Sequence, residues 1–149
     1  MAKSTFVYVT YIRSTPQKVW EALTTPEFAR QYWYDMHIDS DWKTGSPWKM
    51  LFPDGRVADH GIVLEADPPR RLVLRWRNVW KPEFAEDGET LCTITLEPAD
   101  SAVKLQIVHE AERENSGLIQ AVAGGWPRIL SNLKSMLETG DPRCAPGHH

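Results

Sequence analysis

The chain is poor in the residues and patterns that announce a chemistry. It has only two cysteines, Cys92 and Cys144, with no close spacing. That excludes a disulfide framework and a zinc site built on paired thiols, and reduced thiols in the cytosol are the expected state. No apolar run approaches the ~18 residues that a spanning helix needs. Met1 to Thr5 lacks a basic stretch followed by an apolar one, so no signal peptide is expected and the expected location is the cytoplasm. Positive charge is not in surplus: 17 Lys and Arg stand against 20 Asp and Glu, a net charge of −3. A nucleic-acid partner is therefore not expected, and the local cluster Arg70, Arg71, Arg75 and Arg77 reads as the solvated face of a strand. Histidines, cysteines and carboxylates do not form a recognisable ligand pattern, so no metal or other cofactor is expected. There is no G-x-S-x-G elbow for a serine nucleophile and no G-x-x-x-x-G-K-[ST] loop for phosphate.

What remains is an ordinary globular composition, 42% hydrophobic and 25% charged over 149 residues, which suits one domain with a real core. The expected domain is 1–140, with 141–149 a disordered tail. Phe6 to Arg13 alternates aromatic and β-branched residues and predicts a strand. Thr15-Pro16 and Thr25-Pro26 each supply a helix cap and first turn. The first short helix would bury Val19, Trp20 and Leu23; the second would carry Phe28, Tyr32 and Trp33. Short strands are predicted over Met36 to Ser40 and Pro47 to Phe52, with a turn at Pro53-Asp54-Gly55. A longer strand through His60 to Glu65 ends at Asp67-Pro68-Pro69. Arg71 to Asn78 alternates, with Leu72, Leu74 and Trp76 on one side. The polar stretch Lys81 to Gly88 reads as a loop. Glu89 to Glu97 and Ala102 to Glu110 give the last two strands, and Val103, Leu105, Ile107 and His109 share a face. From Ser116 onward Trp126, Leu130, Leu133 and Leu137 recur at helical spacing, and Gly140 closes that helix. Gly124, Gly125 and Pro127 predict a start or kink there, with close approach to the sheet.

The order is strand, two helices, six strands, one long helix. It resembles the helix-grip fold of the START-like, or SRPBCC, superfamily (the Bet v 1 type), an α+β fold in which a curved antiparallel sheet wraps a C-terminal helix. Local motifs sharpen the likeness: Val19-Trp20-Glu21-Ala22-Leu23-Thr24 before Pro26-Glu27; Gly61-x-Val63-x-Glu65 leading to Pro68-Pro69-Arg70-Arg71-Leu72 and Trp76; and Gly125-Trp126-Pro127 followed by Leu130, Leu133 and Leu137-Glu138. Together they resemble the bacterial homologues of the activator of heat-shock-protein-90 ATPase, across residues 5 to 140. The resemblance implies a cavity between sheet and helix.

Seven tryptophans are the most unusual feature, because each offers a large apolar body and one N–H donor. Trp20 reads as core and Trp42 as exposed in a loop. For Trp33, Trp48, Trp76, Trp80 and Trp126, core filling and pocket lining both stand, with Trp76 and Trp126 expected to face each other. His109 reads as either a hydrogen-bonded core residue or an inward acid–base group; His60 shares a face with Ile62 and Leu64. Glu65 reads as a structural ion pair. The candidate ligand-binding set is thus Trp33, Trp48, His60, Trp76, Trp80, His109, Trp126 and Leu130. The leading expectation is a module that binds a small, largely apolar ligand. The alternatives are an enzyme of the polyketide cyclase or dehydratase kind, which the same superfamily contains, and an interaction module with a chaperone partner. A homodimer is the default expectation for assembly.

Overall fold

The computed structural model describes residues 4–33, 36–79, 81, 88–112 and 116–141. Trp80, most of the 81–88 loop and the tail beyond Asp141 lie outside the described residues, and with them the expectations placed there. The described elements are β1 (Ser4–Ile12), α1 (Pro16–Thr24), α2 (Pro26–Tyr32), β2 (His37–Ser40), β3 (Pro47–Leu51), β4 (Val57–Asp67), β5 (Arg71–Asn78), β6 (Thr90–Ala99), β7 (Ala102–Ala111) and α3 (Gly117–Thr139). This is the expected order. All seven strands join one antiparallel sheet in the order β1-β7-β6-β5-β4-β3-β2. The sheet curves around α3, an α+β helix-grip architecture.

Local chemistry explains the boundaries. Thr15 Oγ1 accepts from the Lys18 N–H at 3.2 Å and Pro16 occupies the first turn of α1, the arrangement that satisfies an orphan donor and pre-sets φ. In α2 the buried residues are Ala29 and Tyr32, while Phe28 is exposed. Tyr32 instead anchors the helix pair by donating its hydroxyl to the Ala22 carbonyl at 2.8 Å. Gly55 takes a φ of +92°, which the tight β3–β4 turn needs and a side chain resists.

The α3 helix runs unbroken through Gly124, Gly125 and Pro127, so neither the start nor the close approach expected there occurs. A Cβ at Gly124 or Gly125 would meet nothing within 4 Å. These glycines leave room rather than allow contact. Ser116 caps the helix and Gly140 ends it in the left-handed region at φ +85°. Its far end is tied to β1: Lys134 Nζ donates to the Tyr11 carbonyl at 2.6 Å, and Glu138 accepts from the Arg13 N–H at 2.8 Å.

The core lies between the inner sheet face and α3. Val103, Leu105, Ile107 and His109 of β7 are all fully buried, as their alternation predicts. Outside, the expected arginine face is exposed, with Glu65 paired to Arg71 at 3.3 Å.

Candidate ligand-binding site

Three rows of cross-strand neighbours build the site. In the first, Trp48, Gly61, Trp76 and Thr90 lie side by side across β3 to β6. Gly61 has no side chain, so the two indoles can lean over it toward each other. Their centroids are 4.7 Å apart, and Trp48 Nε1 donates to the Arg75 carbonyl at 3.0 Å across the glycine. A Cβ at Gly61 would collide with that same carbonyl. In the second row, two residues along on the same face, Met50, Asp59 and Asn78 are neighbours. Asn78 Nδ2 donates to Asp59 Oδ1 at 2.8 Å, and Asn78 Oδ1 accepts from the Lys81 N–H. The third row pairs Cys92 with His109.

From the helix side Trp126 meets this face. It packs edge-on against Trp76 at 5.9 Å and against Trp33, from the end of α2, at 5.2 Å. Such edge-to-face pairs are favoured by the ring quadrupole, by about 0.5–1.5 kcal/mol beyond their buried area.

Trp126 Nε1 donates to His109 Nδ1 at 3.4 Å, so the proton of His109 sits on Nε2. Nε2 then donates to Thr90 Oγ1 at 2.8 Å, and the Thr90 hydroxyl donates in turn to the Trp76 carbonyl at 3.1 Å. Both ring nitrogens are occupied and burial pushes the His109 pKa down to about 4. His109 is thus a neutral structural link between sheet and helix, the hydrogen-bonded core residue of its two readings, and it does not line the cavity.

A cavity of about 190 Å³ opens between these layers. Its floor is buried: Trp33, Met50, Trp76, Trp126, Leu118 and Ile129 are apolar, and Asp59 and Asn78 are the polar exceptions. Its rim is formed by the half-buried Met36, Phe52 and Val122, with Ala121 and Gly125 of α3. Asp59 is 7% exposed, and burial pushes its pKa up to about 6, the nearby Trp76 N–H and the hydrogen bond from Asn78 opposing that rise. The Trp76 N–H stands close enough to the carboxylate to favour its charge, yet meets no acceptor with hydrogen-bond geometry.

Of the expected set, Trp33, Trp76 and Trp126 line this cavity. Trp48, His109 and Leu130 are buried but stand behind the lining. His60 is exposed on the outer sheet face and leaves the set. A bulge after Val63 explains why the strand reads as apolar on both sides: Leu64 is an extra residue, so Val63 pairs with Leu74 and Ala66 with Leu72. Inward residues therefore change parity within β4, and alternation counted through the bulge leaves the facing of the histidine open. Trp42, expected in an exposed loop, is half-buried against the core. Asp59 and Asn78 were missed, although parity with Gly61 and with Trp76 marked both as inward.

The chain matches the family model described as activator of Hsp90 ATPase homolog 1-like protein over residues 13–138. No curated protein matches it. Among solved structures it is similar to protein MLL2253 from Mesorhizobium loti, with 25% identity, 93% of this chain and 99% of that one covered, and a TM-score of 0.78. It is similar in fold to the Aha1 dimer from Colwellia psychrerythraea, at 20% identity, 92% and 98% coverage and a TM-score of 0.74. It also shares the fold of an HSP90 activator from Plasmodium falciparum, at 17% identity, 89% and 95% coverage and a TM-score of 0.71. The chain belongs to the activator of Hsp90 ATPase homolog 1-like family.

Proposed function

We propose that this member of the activator of Hsp90 ATPase homolog 1-like family binds a small, largely apolar molecule between the sheet and α3. The observation that carries the reading is the cavity of about 190 Å³, floored by three tryptophans and open space beside Gly125. A dry cavity of ~150 Å³ suffices for benzene, so the guest is of one-ring size or a short chain. Burying its apolar surface contributes about 25 cal/mol per Å². The free buried thiol of Cys92 fits a reducing, cytoplasmic setting.

The test is native mass spectrometry of gently purified protein, with a variant that fills the space. Gly125→Leu places a side chain where a Cβ meets nothing and removes a helix-interior glycine, which costs about 1 kcal/mol relative to alanine. It is expected to melt no lower than wild type while losing at least ten-fold in occupancy by any non-covalent guest. Equal occupancy in the two proteins would refute the cavity as the binding site.

The enzymatic alternative shifts its residue. His109 is spent on structure, whereas Asp59 is the titratable group that lines the cavity among the described residues, so turnover of a guest would run through Asp59. The chaperone-partner and homodimer readings draw on the names of the Plasmodium and Colwellia proteins and on the exposed stripe Val7, Val9 and Tyr11 of the edge strand β1.

A further inference from the structure

The floor of the cavity has one polar corner, and its composition selects among guests. The inference rests on the cavity being a binding site and names what that site recognises. Three side chains, each more than nine-tenths buried, meet there: Asp59, Asn78 and Trp76. Asn78 Nδ2 satisfies Asp59 Oδ1, and Asn78 Oδ1 is occupied by the Lys81 N–H. Asp59 Oδ2 is left with acceptor capacity. The Trp76 N–H, beside it, is a buried donor without an acceptor of good geometry. A buried donor left unmet is destabilising, and such groups are rare in native proteins. Trp126, its neighbour, shows the contrast, because its N–H is met by His109.

A guest that completes this corner must accept from Trp76 and donate to Asp59 at one atom. An ammonium only donates and leaves the indole unmet. A carboxylate only accepts and is repelled by the ionised Asp59. A hydroxyl does both. We propose that the cavity recognises a single hydroxyl on an otherwise apolar, one-ring-sized ligand, its oxygen accepting from Trp76 Nε1 and its proton directed to Asp59, which Asn78 holds in place.

Phenol and toluene have nearly the same shape and differ in this group. An apolar cavity favours toluene, because phenol must shed its hydrogen bonds to water. The proposed corner reverses that order, since a hydrogen bond to a carboxylate is among the stronger ones a buried site can make. Calorimetric titration of the wild type at pH 7.5 is expected to show phenol binding about ten-fold tighter than toluene. Trp76→Phe and Asp59→Asn are each expected to bring the ratio of phenol to toluene affinity down to about one. Asp59 is the titratable group on the cavity lining among the described residues, so the preference should also shrink below pH 6, where its carboxyl gains a proton.

Toluene binding as tightly as phenol to the wild type would overturn the hydroxyl assignment and leave the cavity reading standing. So would a phenol preference that survives in both variants. Failure of both guests to bind the wild type would overturn the assignment together with the cavity reading, and the two failures are thereby distinguished.

Discussion

Gly61→Ala is expected to be the most damaging single-methyl change in the protein, lowering stability by about 3–5 kcal/mol and the melting temperature by roughly 10 °C or more. The reason is the geometry over β4. Trp48 and Trp76 flank Gly61 in register, and the Trp48 N–H reaches across it to the Arg75 carbonyl at 3.0 Å. An added Cβ would run into that carbonyl and stand 2.8 Å from the indole nitrogen. The carbonyl belongs to the backbone of β5, so it cannot rotate aside. Relief requires the β4–β5 pair to part, which breaks the indole contact and the floor of the cavity with it. Gly125→Ala is the matched control. The same methyl there meets open space and should stabilise the helix by up to ~1 kcal/mol. Thermal melts of the two variants beside wild type are expected to move in opposite directions. A Gly61→Ala protein that melts within 2 °C of wild type would contradict the packing described for the two tryptophans.

The second large effect concerns pH. Asp59 has its pKa raised by burial from 3.8 to about 6, so between those values the folded state holds a proton that the unfolded chain has released. Its contribution to stability is fully present below about pH 3.8 and is lost as pH rises through 6. His109 works in the opposite sense. Burial lowers its pKa from 6.5 to about 4, so the unfolded chain binds a proton that the folded state refuses. The stability it secures is present above about pH 6.5 and lost as pH falls toward 4. The two windows overlap, and the wild-type stability profile between pH 4 and 6.5 is expected to be flat in consequence.

Asp59→Asn removes one of these opposing slopes. At pH 7.5 the variant no longer keeps a charge in an apolar floor, and it is expected to be more stable than wild type by on the order of 2 kcal/mol. Near pH 4 the advantage should vanish, because the wild-type carboxyl is then protonated. The variant alone should lose stability steeply with acid, exposing the contribution of buried, neutral His109. Urea unfolding at half-unit steps of pH reads both effects. A variant less stable than wild type at pH 7.5, or a difference independent of pH, would mean that the Asp59 carboxyl is not held in the desolvated state described.

Much of the architecture was legible because alternation and helical spacing are direct readouts of burial. The β7 run Val103, Leu105, Ile107 and His109 and the α3 stripe Trp126, Leu130 and Leu133 became the two faces of the core. From them the meeting of Trp76 and Trp126 followed, and it is present as an edge-on contact. The site was less legible for three physical reasons. The bulge at Leu64 reverses parity inside β4, so the apolar residues of that strand fall on both sides and alternation leaves the facing of His60 open. Asp59 and Asn78 share faces with Gly61 and Trp76, but polar side chains in a buried row are exceptions to alternation and were passed over. The glycine pair of α3 signalled close approach by the usual logic, whereas here the missing side chains leave open space. His109 was the subtler case. It shares a face with Leu105 and Ile107, but its role depends on a chain from Trp126 through Thr90 to the Trp76 carbonyl, and no spacing in the sequence reveals that closure.

The central claim is that a small apolar guest resides between the sheet and α3, against Trp76 and Trp126. The most direct measurement is a crystal structure of the protein equilibrated with saturating toluene, beside one of Gly125→Leu treated in the same way. The account predicts ring-shaped density in the wild-type cavity within van der Waals contact of both indoles, and none in the variant. A wild-type cavity left empty at saturation, or toluene found only at other surfaces, would contradict it.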